Sequence, residues 1–251
     1  MKKIISIIIL SFISFSYTNA QTDNIPVPDD AASAKGKGVK SDKISLVYFT
    51  DLWQSVDSGI SVSKYSPGFN FNYMQPFRFG KSNFGFAIGL GITTHNLRSD
   101  AQPKIKFDTT SGANLETGTV FEKIPDYVNG NKTDYNINKL NLTYIDIPCE
   151  IRFYKENKKE KVFKIALGFK AGYMISNHTK YKGTDLSTGT ENMKVKKYNI
   201  KNIDLIRYGV TAKLGYENFY VFGYYSMSKL FKTGKGPEMY PVSVGIGISA
   251  L

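Results

Sequence analysis

The sequence has 251 residues, and its 33 Lys and Arg residues outnumber 21 Asp and Glu residues, which gives a formal net charge of +12. The single cysteine, Cys149, excludes an intramolecular disulfide framework and a CxxC zinc site, and the two histidines, His95 and His178, exclude a histidine-rich metal centre. We therefore predict neither a cofactor nor a bound metal.

Residues 1–20 have the pattern of a secretory signal peptide. Lys2 and Lys3 precede an uncharged, mostly apolar stretch, and Ala20 completes a small-residue cleavage site before Gln21. The alternative, an uncleaved membrane anchor, is disfavoured because the apolar stretch is short for a spanning helix of ~20 residues. Export argues against nucleic acid as the partner of this basic chain and favours anionic lipid headgroups.

Residues 21–42 are rich in Pro, Gly, Ala, Asp and Lys and hold almost no bulky apolar residue, which predicts a flexible periplasmic tail. From residue 43 onward the apolar residues recur with a period of two, as in strands. In 84–93, for example, Phe, Ile and Leu occupy one face, while Gly, Ala and Thr occupy the other. We predict eight strands, at residues 44–52, 68–79, 84–93, 141–154, 162–176, 206–216, 219–230 and 242–250.

The connections between these strands alternate in length. The long ones are roughly 53–67, 98–139, 178–202 and 231–241, and the short ones are 80–83, 155–161 and 217–218. Outer-membrane barrels have this asymmetry, with short periplasmic turns and longer external loops, and an even strand count puts both chain ends in the periplasm. Alternation around Lys104–Phe107 and Thr119–Phe121 further predicts that strands three and four extend past the membrane as a hairpin.

The small-residue face of the strands decides between a membrane barrel and a soluble, lipocalin-like barrel. That face carries many glycines, which weaken an exposed sheet surface but leave room for long side chains inside a narrow barrel. The bulky face is then suited to lipid. We predict that residues 43–251 form an all-β, eight-stranded antiparallel up-and-down transmembrane β-barrel, embedded as a monomer in outer-membrane lipid.

Three sequence segments resemble a known family. The stretch Leu142–Pro148, LTYIDIP, is similar to the "YLEIP" strand of the PorT-like outer-membrane β-barrel family of Bacteroidetes. Residues 206–216 and 229–241 resemble a strand and the last external loop of a subset of that family. The resemblance implies an eight-stranded outer-membrane barrel, and it offers an accessory role in type IX secretion or gliding as one alternative function.

Four charged residues are predicted to meet in the lumen, namely Asp146, Glu150, Arg152 and Lys170. Buried charges must be paired, and eight strands leave no water channel, so we interpret this lumen polar cluster as a salt-bridged plug. The alternative is a path for protons or ions.

Two external features suggest possible chemistry. Strand parity predicts that His95 and His178 both point inward near the rim, where they could serve an outer-membrane lipid A-modifying enzyme, although we expect no enzymatic activity. The lysines of loop 178–202, among them Lys194, Lys196 and Lys197, are candidate contacts for anionic headgroups or for a protein partner, and the alternative is a solvated charged loop. The function predicted from sequence is therefore binding or envelope structure through external loops.

Overall fold

The computed structural model describes residues 42–79, 82–108, 115–156 and 161–250. The predicted signal peptide at 1–20, with its cleavage site, and all of the predicted tail except Asp42 lie outside these residues. The strands are, in chain order, β1 (Ile44–Gln54), β2 (Pro67–Arg78), β3 (Phe84–Arg98), β4 (Ala101–Asp108), β5 (Leu115–Lys123), β6 (Tyr127–Val128), β7 (Asn131–Lys132), β8 (Tyr135–Glu156), β9 (Val162–Gly183), β10 (Met193–Tyr198), β11 (Ile206–Tyr216), β12 (Phe219–Ser226) and β13 (Tyr240–Ala250).

Eight of these strands close into an antiparallel barrel, in the order β1, β2, β3, β8, β9, β11, β12 and β13. The first and last strands pair along their whole length, from Ile44 opposite Ala250 to Gln54 opposite Tyr240, and the ring has no open edge. The predicted fold class is confirmed. Every predicted strand is present, although the seventh ends at Ser226 rather than at residue 230.

The two faces of the barrel wall differ sharply. Leu90 and Ile246 on the outside are 43% and 68% exposed, whereas Ala87 and Thr93 on the inside are fully buried. A soluble barrel would place the bulky side chains inside, so that alternative is wrong. The apolar exterior is the surface that lipid tails favour.

In the described residues, no helix is long and apolar enough to cross a membrane.

The long connections lie at one end of the barrel, called the external end here, and much of their chain is β-structure. β8 and β9 each run for 22 residues, and β10 pairs with the outer part of β9, so much of the predicted loop 178–202 is sheet. β4 and β5 pair as the alternation predicted, with Ile105 opposite Thr119, but they form a separate two-stranded sheet rather than a continuation of the barrel ladder.

An apolar cluster fills the external mouth of the barrel. We call it the external cap; its buried members come from barrel strands, from β4 and β5 and from two long connections, and they are Trp53, Leu97, Ala101, Phe121, Leu140, Leu142, Tyr144, Met174, Ile203, Leu230, Phe231 and Met239. Trp53 also donates a hydrogen bond from Nε1 to the carbonyl of Asn96, at 3.1 Å. The long connections therefore pack onto the external end of the barrel.

Candidate functional site

A first layer of paired charges lies inside the barrel just below the external cap. The Asp146 carboxylate is fully buried and accepts two hydrogen bonds of 2.9 Å from Nη2 of Arg207. It also accepts a hydrogen bond from the hydroxyl of Thr93, and the ammonium of Lys170 lies 3.7 Å away. The four residues come from β8, β11, β3 and β9, so this layer ties half of the barrel wall together.

The same layer continues through His95. Its Nδ1 lies 2.9 Å from the Asp51 carboxylate, and its Nε2 contacts the Arg207 guanidinium. Asp51 also accepts a hydrogen bond of 2.6 Å from the hydroxyl of Ser243. The Arg207 guanidinium stacks over the ring of Tyr144, 4.0 Å from its centroid. The imidazole is 1% exposed, so both its nitrogens are engaged inside the wall.

A second charged layer lies toward the opposite end of the barrel, where the short connections are, called the periplasmic end here. Glu150 lies 3.0 Å from Arg152 and 2.6 Å from Lys213, and all three side chains are largely buried. Arg152 donates to the carbonyl of Asp42, and the Asp42 carboxylate pairs with Lys164 at 2.6 Å. The start of the described chain thus lies against this second layer.

The four residues of the predicted lumen polar cluster fall into two groups. Asp146 and Lys170 belong to the first layer, whereas Glu150 and Arg152 belong to the second. Cavities remain in both, of about 10 Å³ beside His95 and about 40 Å³ beside Glu150, the latter with room for a few water molecules.

Sequence reasoning did not assign Asp51 to this cluster. On β1, Asp51 lies an even number of positions from Val47 and Phe49, so the alternation places all three side chains inside the barrel. This alternation is the sequence pattern that could have identified Asp51. Its partner His95 was read as a rim residue, because strand length alone does not show which residues stand at one height across a barrel.

A set of cations lines the outer face of the wall beyond the apolar band. We call it the basic face, and it comprises Arg98, Lys139, Lys180, Lys182, Lys194 and Lys196. Of the three lysines predicted as headgroup contacts, Lys194 and Lys196 belong to it. Lys197 points to the other side of β10 because successive strand residues alternate.

His178 does not point inward as predicted. A register shift between Thr143 and Tyr144 on β8 places Tyr144 opposite Met174 but Thr143 opposite Ser176. Ile175 of β9, between Met174 and Ser176, therefore has no partner on β8. Such a bulge reverses the alternation beyond it. The His178 ring therefore lies on the outer face, 5.3 Å from the ring of Tyr198, and it does not meet His95.

No group of three or more His, Cys, Asp or Glu side chains suited to a metal ion occurs among the described residues.

Comparison with protein families gives a match over residues 38–232 to the family described as "outer membrane protein beta-barrel domain". The chain belongs to this family. Its members are outer-membrane barrels by description, so the apolar band of this family member lies in the outer membrane. None of the curated proteins matches the sequence.

Two solved structures of Ail, the attachment invasion locus protein of Yersinia pestis, are similar to this barrel at 14% identity and a TM-score of 0.32. In each, the match covers 82% of this chain and 94% of Ail. One of them is a complex of Ail with the heparin analogue sucrose octasulfate.

Proposed function

We propose that this outer-membrane barrel has a plugged lumen and acts through its external surface, in binding or in envelope structure. The observation that carries the proposal is the filling of the interior by two charged layers beneath an apolar cap. Buried charges that pair this closely hold their positions, since separating them would leave an uncompensated charge in a medium of low polarity. An ion would have to break both layers to cross.

The lumen polar cluster serves as a plug in this proposal, rather than as a path for protons or ions. Asp146 and Glu150 each pair with two cations, so neither carboxylate is free to accept and pass on a proton. The cavities beside His95 and Glu150, of about 10 and 40 Å³, have room for only a few water molecules, which supports a filled lumen.

We also propose that the chain is not an enzyme. His95, the better of the two candidate histidines, is buried, and its two ring nitrogens face Asp51 and Arg207. His178 lies on the other face of the wall, so the pair offers no shared site for a lipid A-modifying reaction.

The finer assignment to the PorT-like family rests on the sequence resemblance, and the signal peptide cleaved near Ala20–Gln21 rests on the residue pattern of 1–20. An accessory role in type IX secretion or gliding is the alternative function on the same ground, and it would bring a protein partner to the external loops. We propose a monomer, because the described barrel strands pair in a closed ring.

Conductance in planar bilayers tests the plug. The purified barrel is expected to give no stable open-pore steps, while a general porin reconstituted in parallel does. Long-lived, ohmic openings of the wild-type protein at low voltage would overturn the proposal.

A further inference from the structure

We propose that the basic face binds the phosphate groups of an anionic glycolipid in the outer leaflet, the chemical class of lipid A. The proposal rests on the proposed function, since it assigns a ligand to the external surface. It concerns the outer wall of the barrel extension, whereas the conductance experiment concerns the lumen, so either can fail without the other.

Four cations stand side by side across four neighbouring strands. Arg98 of β3 is directly opposite Lys139 of β8, Lys139 is opposite Lys180 of β9, and Lys180 is opposite Lys196 of β10. With strands about 4.8 Å apart, the row is about 14 Å wide. A second row follows one step farther out, where Lys182 is opposite Lys194. Paired residues of an antiparallel sheet point to the same side, so these cations share one face.

Like charges directly opposite each other destabilise a sheet, and no carboxylate of the described chain offsets these cations. None of the six cations has a carboxylate partner among the described residues. Lys139 donates to the Asn96 side chain at 2.9 Å, and the Arg98 guanidinium lies 5.8 Å from the Tyr65 ring centroid.

Three other external lysines, by contrast, each pair with a glutamate. Lys104 lies 2.7 Å from Glu122, Lys201 lies 2.7 Å from Glu116, and Lys229 lies 2.5 Å from Glu238. The basic face differs from a generally basic surface because its unpaired cations lie directly opposite one another, and an external anion would supply the missing counter-charge.

The height of the basic face matches the phosphates of a lipid headgroup. On β3 the last exposed apolar side chain of the outer face is Ile92, and Arg98 follows six residues later, about 20 Å along the strand. The strand tilt of such barrels reduces this to about 15 Å along the membrane normal, and long lysine and arginine side chains reach back toward the interface. Because the face continues the lipid-facing wall, it is turned toward neighbouring lipids rather than toward the medium above.

Binding is tested with the full-length mature protein in nanodiscs of neutral lipid, titrated with lipid A or with the same lipid after removal of its phosphates. The wild type is expected to bind the phosphorylated form. In the double variant Lys180→Gln/Lys196→Gln, the apparent affinity should fall about 25-fold, about fivefold for each lysine near the surface. Lys197→Gln is the matched control from the same strand, and it should stay within about twofold of the wild type.

A second measurement separates a ligand site from a structural role. Without lipid A, the double variant should unfold at a higher urea concentration than the wild type, because like-charge repulsion within the row is relieved. A merely structural row would lose stability instead, and that result would overturn the proposal.

Three further results would overturn the proposal. The dephosphorylated lipid could bind as tightly as lipid A, or Lys197→Gln could lose as much affinity as the double variant. Inorganic phosphate alone could also saturate the site at a lower concentration than lipid A. Tighter binding of a soluble acidic polypeptide than of lipid A would overturn it as well, since the ligand would then be a protein.

Discussion

At the scale of single residues, the interior is held by charges whose partners come from distant parts of the chain. Asp146 on β8 binds Arg207 on β11, and His95 on β3 binds Asp51 on β1. Such pairs contribute little net stability compared with apolar packing, but removing one member is costly because the other stays buried and charged. The charged layers therefore fix which strands meet at which height.

Replacing Asp146 by Asn should destabilise the barrel by about 3–5 kcal/mol, because Arg207 and Lys170 would lose their shared carboxylate. Urea unfolding in lipid vesicles, followed by the fluorescence of the single tryptophan, Trp53, measures this change. Glu122→Gln, which removes an exposed ion pair with Lys104, is the control and should change stability by no more than about 0.5 kcal/mol. A loss as small as the control's would show that Asp146 is dispensable.

Gly172 on β9 leaves the space that the Asp146 and Arg207 side chains of the first charged layer occupy. A Cβ added there would lie 2.2 Å from Oδ1 of Asp146 and 3.0 Å from Nε of Arg207. Gly172→Ala should therefore cost about 1–3 kcal/mol in the same unfolding measurement. Gly59→Ala, where nothing lies within 4 Å, serves as the reference and should be neutral. Equal stability of the two variants would contradict this account of the space around Asp146.

At the scale of elements, the β4–β5 hairpin is an external structure that docks on other connections. The Thr119 amide of β5 donates to the carbonyl of Lys235, and the Thr119 hydroxyl donates to the carbonyl of Lys201. Glu116, also on β5, accepts hydrogen bonds from the Lys201 ammonium at 2.7 Å and from the Asn202 amide at 3.0 Å. These contacts fasten the hairpin over the mouth of the barrel.

The hydrogen bonds from Lys201 and Asn202 hold the pKa of the Glu116 carboxyl below its ordinary value. Because the folded-state pKa is the lower one, the contact stabilises docking above the ordinary glutamate pKa and is lost as pH falls through the depressed pKa. Carboxyl-resolved NMR titration should show this depression, and Lys201→Gln should raise the Glu116 pKa toward its ordinary value. Lys104→Gln should leave it unchanged, and an equal effect of both substitutions would contradict the assignment.

Prediction from sequence worked best where one local rule decides the structure. Strict alternation around Leu90 identifies both the strand and its lipid-facing side, because a period of two leaves only one choice of face. The orientation of His178 could not be obtained in this way, since a bulge against β8 at Thr143 reverses the parity and leaves no local mark in the sequence of β9. The meeting of Asp51 with His95 depends on the stagger of the closed barrel, and four cations become one row only through the registers of three strand pairs.

At the scale of the whole molecule, the barrel buries its charged layers inside and exposes an apolar band outside, the reverse of the usual arrangement in a soluble protein. Cys149 lies on the outer wall between Ile88 and Phe169 of the neighbouring strands, both of which are well exposed to the surroundings of the barrel. The only thiol of the chain is therefore placed in the lipid-facing band.

In lipid vesicles, Cys149 should resist a charged, membrane-impermeant maleimide, because a charged reagent does not enter the hydrocarbon around the apolar band. It should react fully after unfolding in urea. Lys232→Cys in a Cys149→Ser background is the positive control, since residue 232 is exposed on the external connection between β12 and β13. Rapid labelling of Cys149 in the folded, reconstituted protein would place the outer wall in water and contradict the membrane orientation.

The ladder between β1 and β13 sets the order of events during assembly. Ile44 can pair with Ala250 only after the strands between them have formed, because these two residues are at opposite ends of the barrel sequence. Ring closure therefore comes last and is intrinsically slow. The same adjacency brings the two seam strands within about 5 Å of each other. A circularly permuted chain could join the start of β1 to the end of β13 and have its new termini at the Glu217–Asn218 turn. It would keep every strand pairing, and its termini would lie on the periplasmic side. The last pair of strands to form would then be β11 and β12.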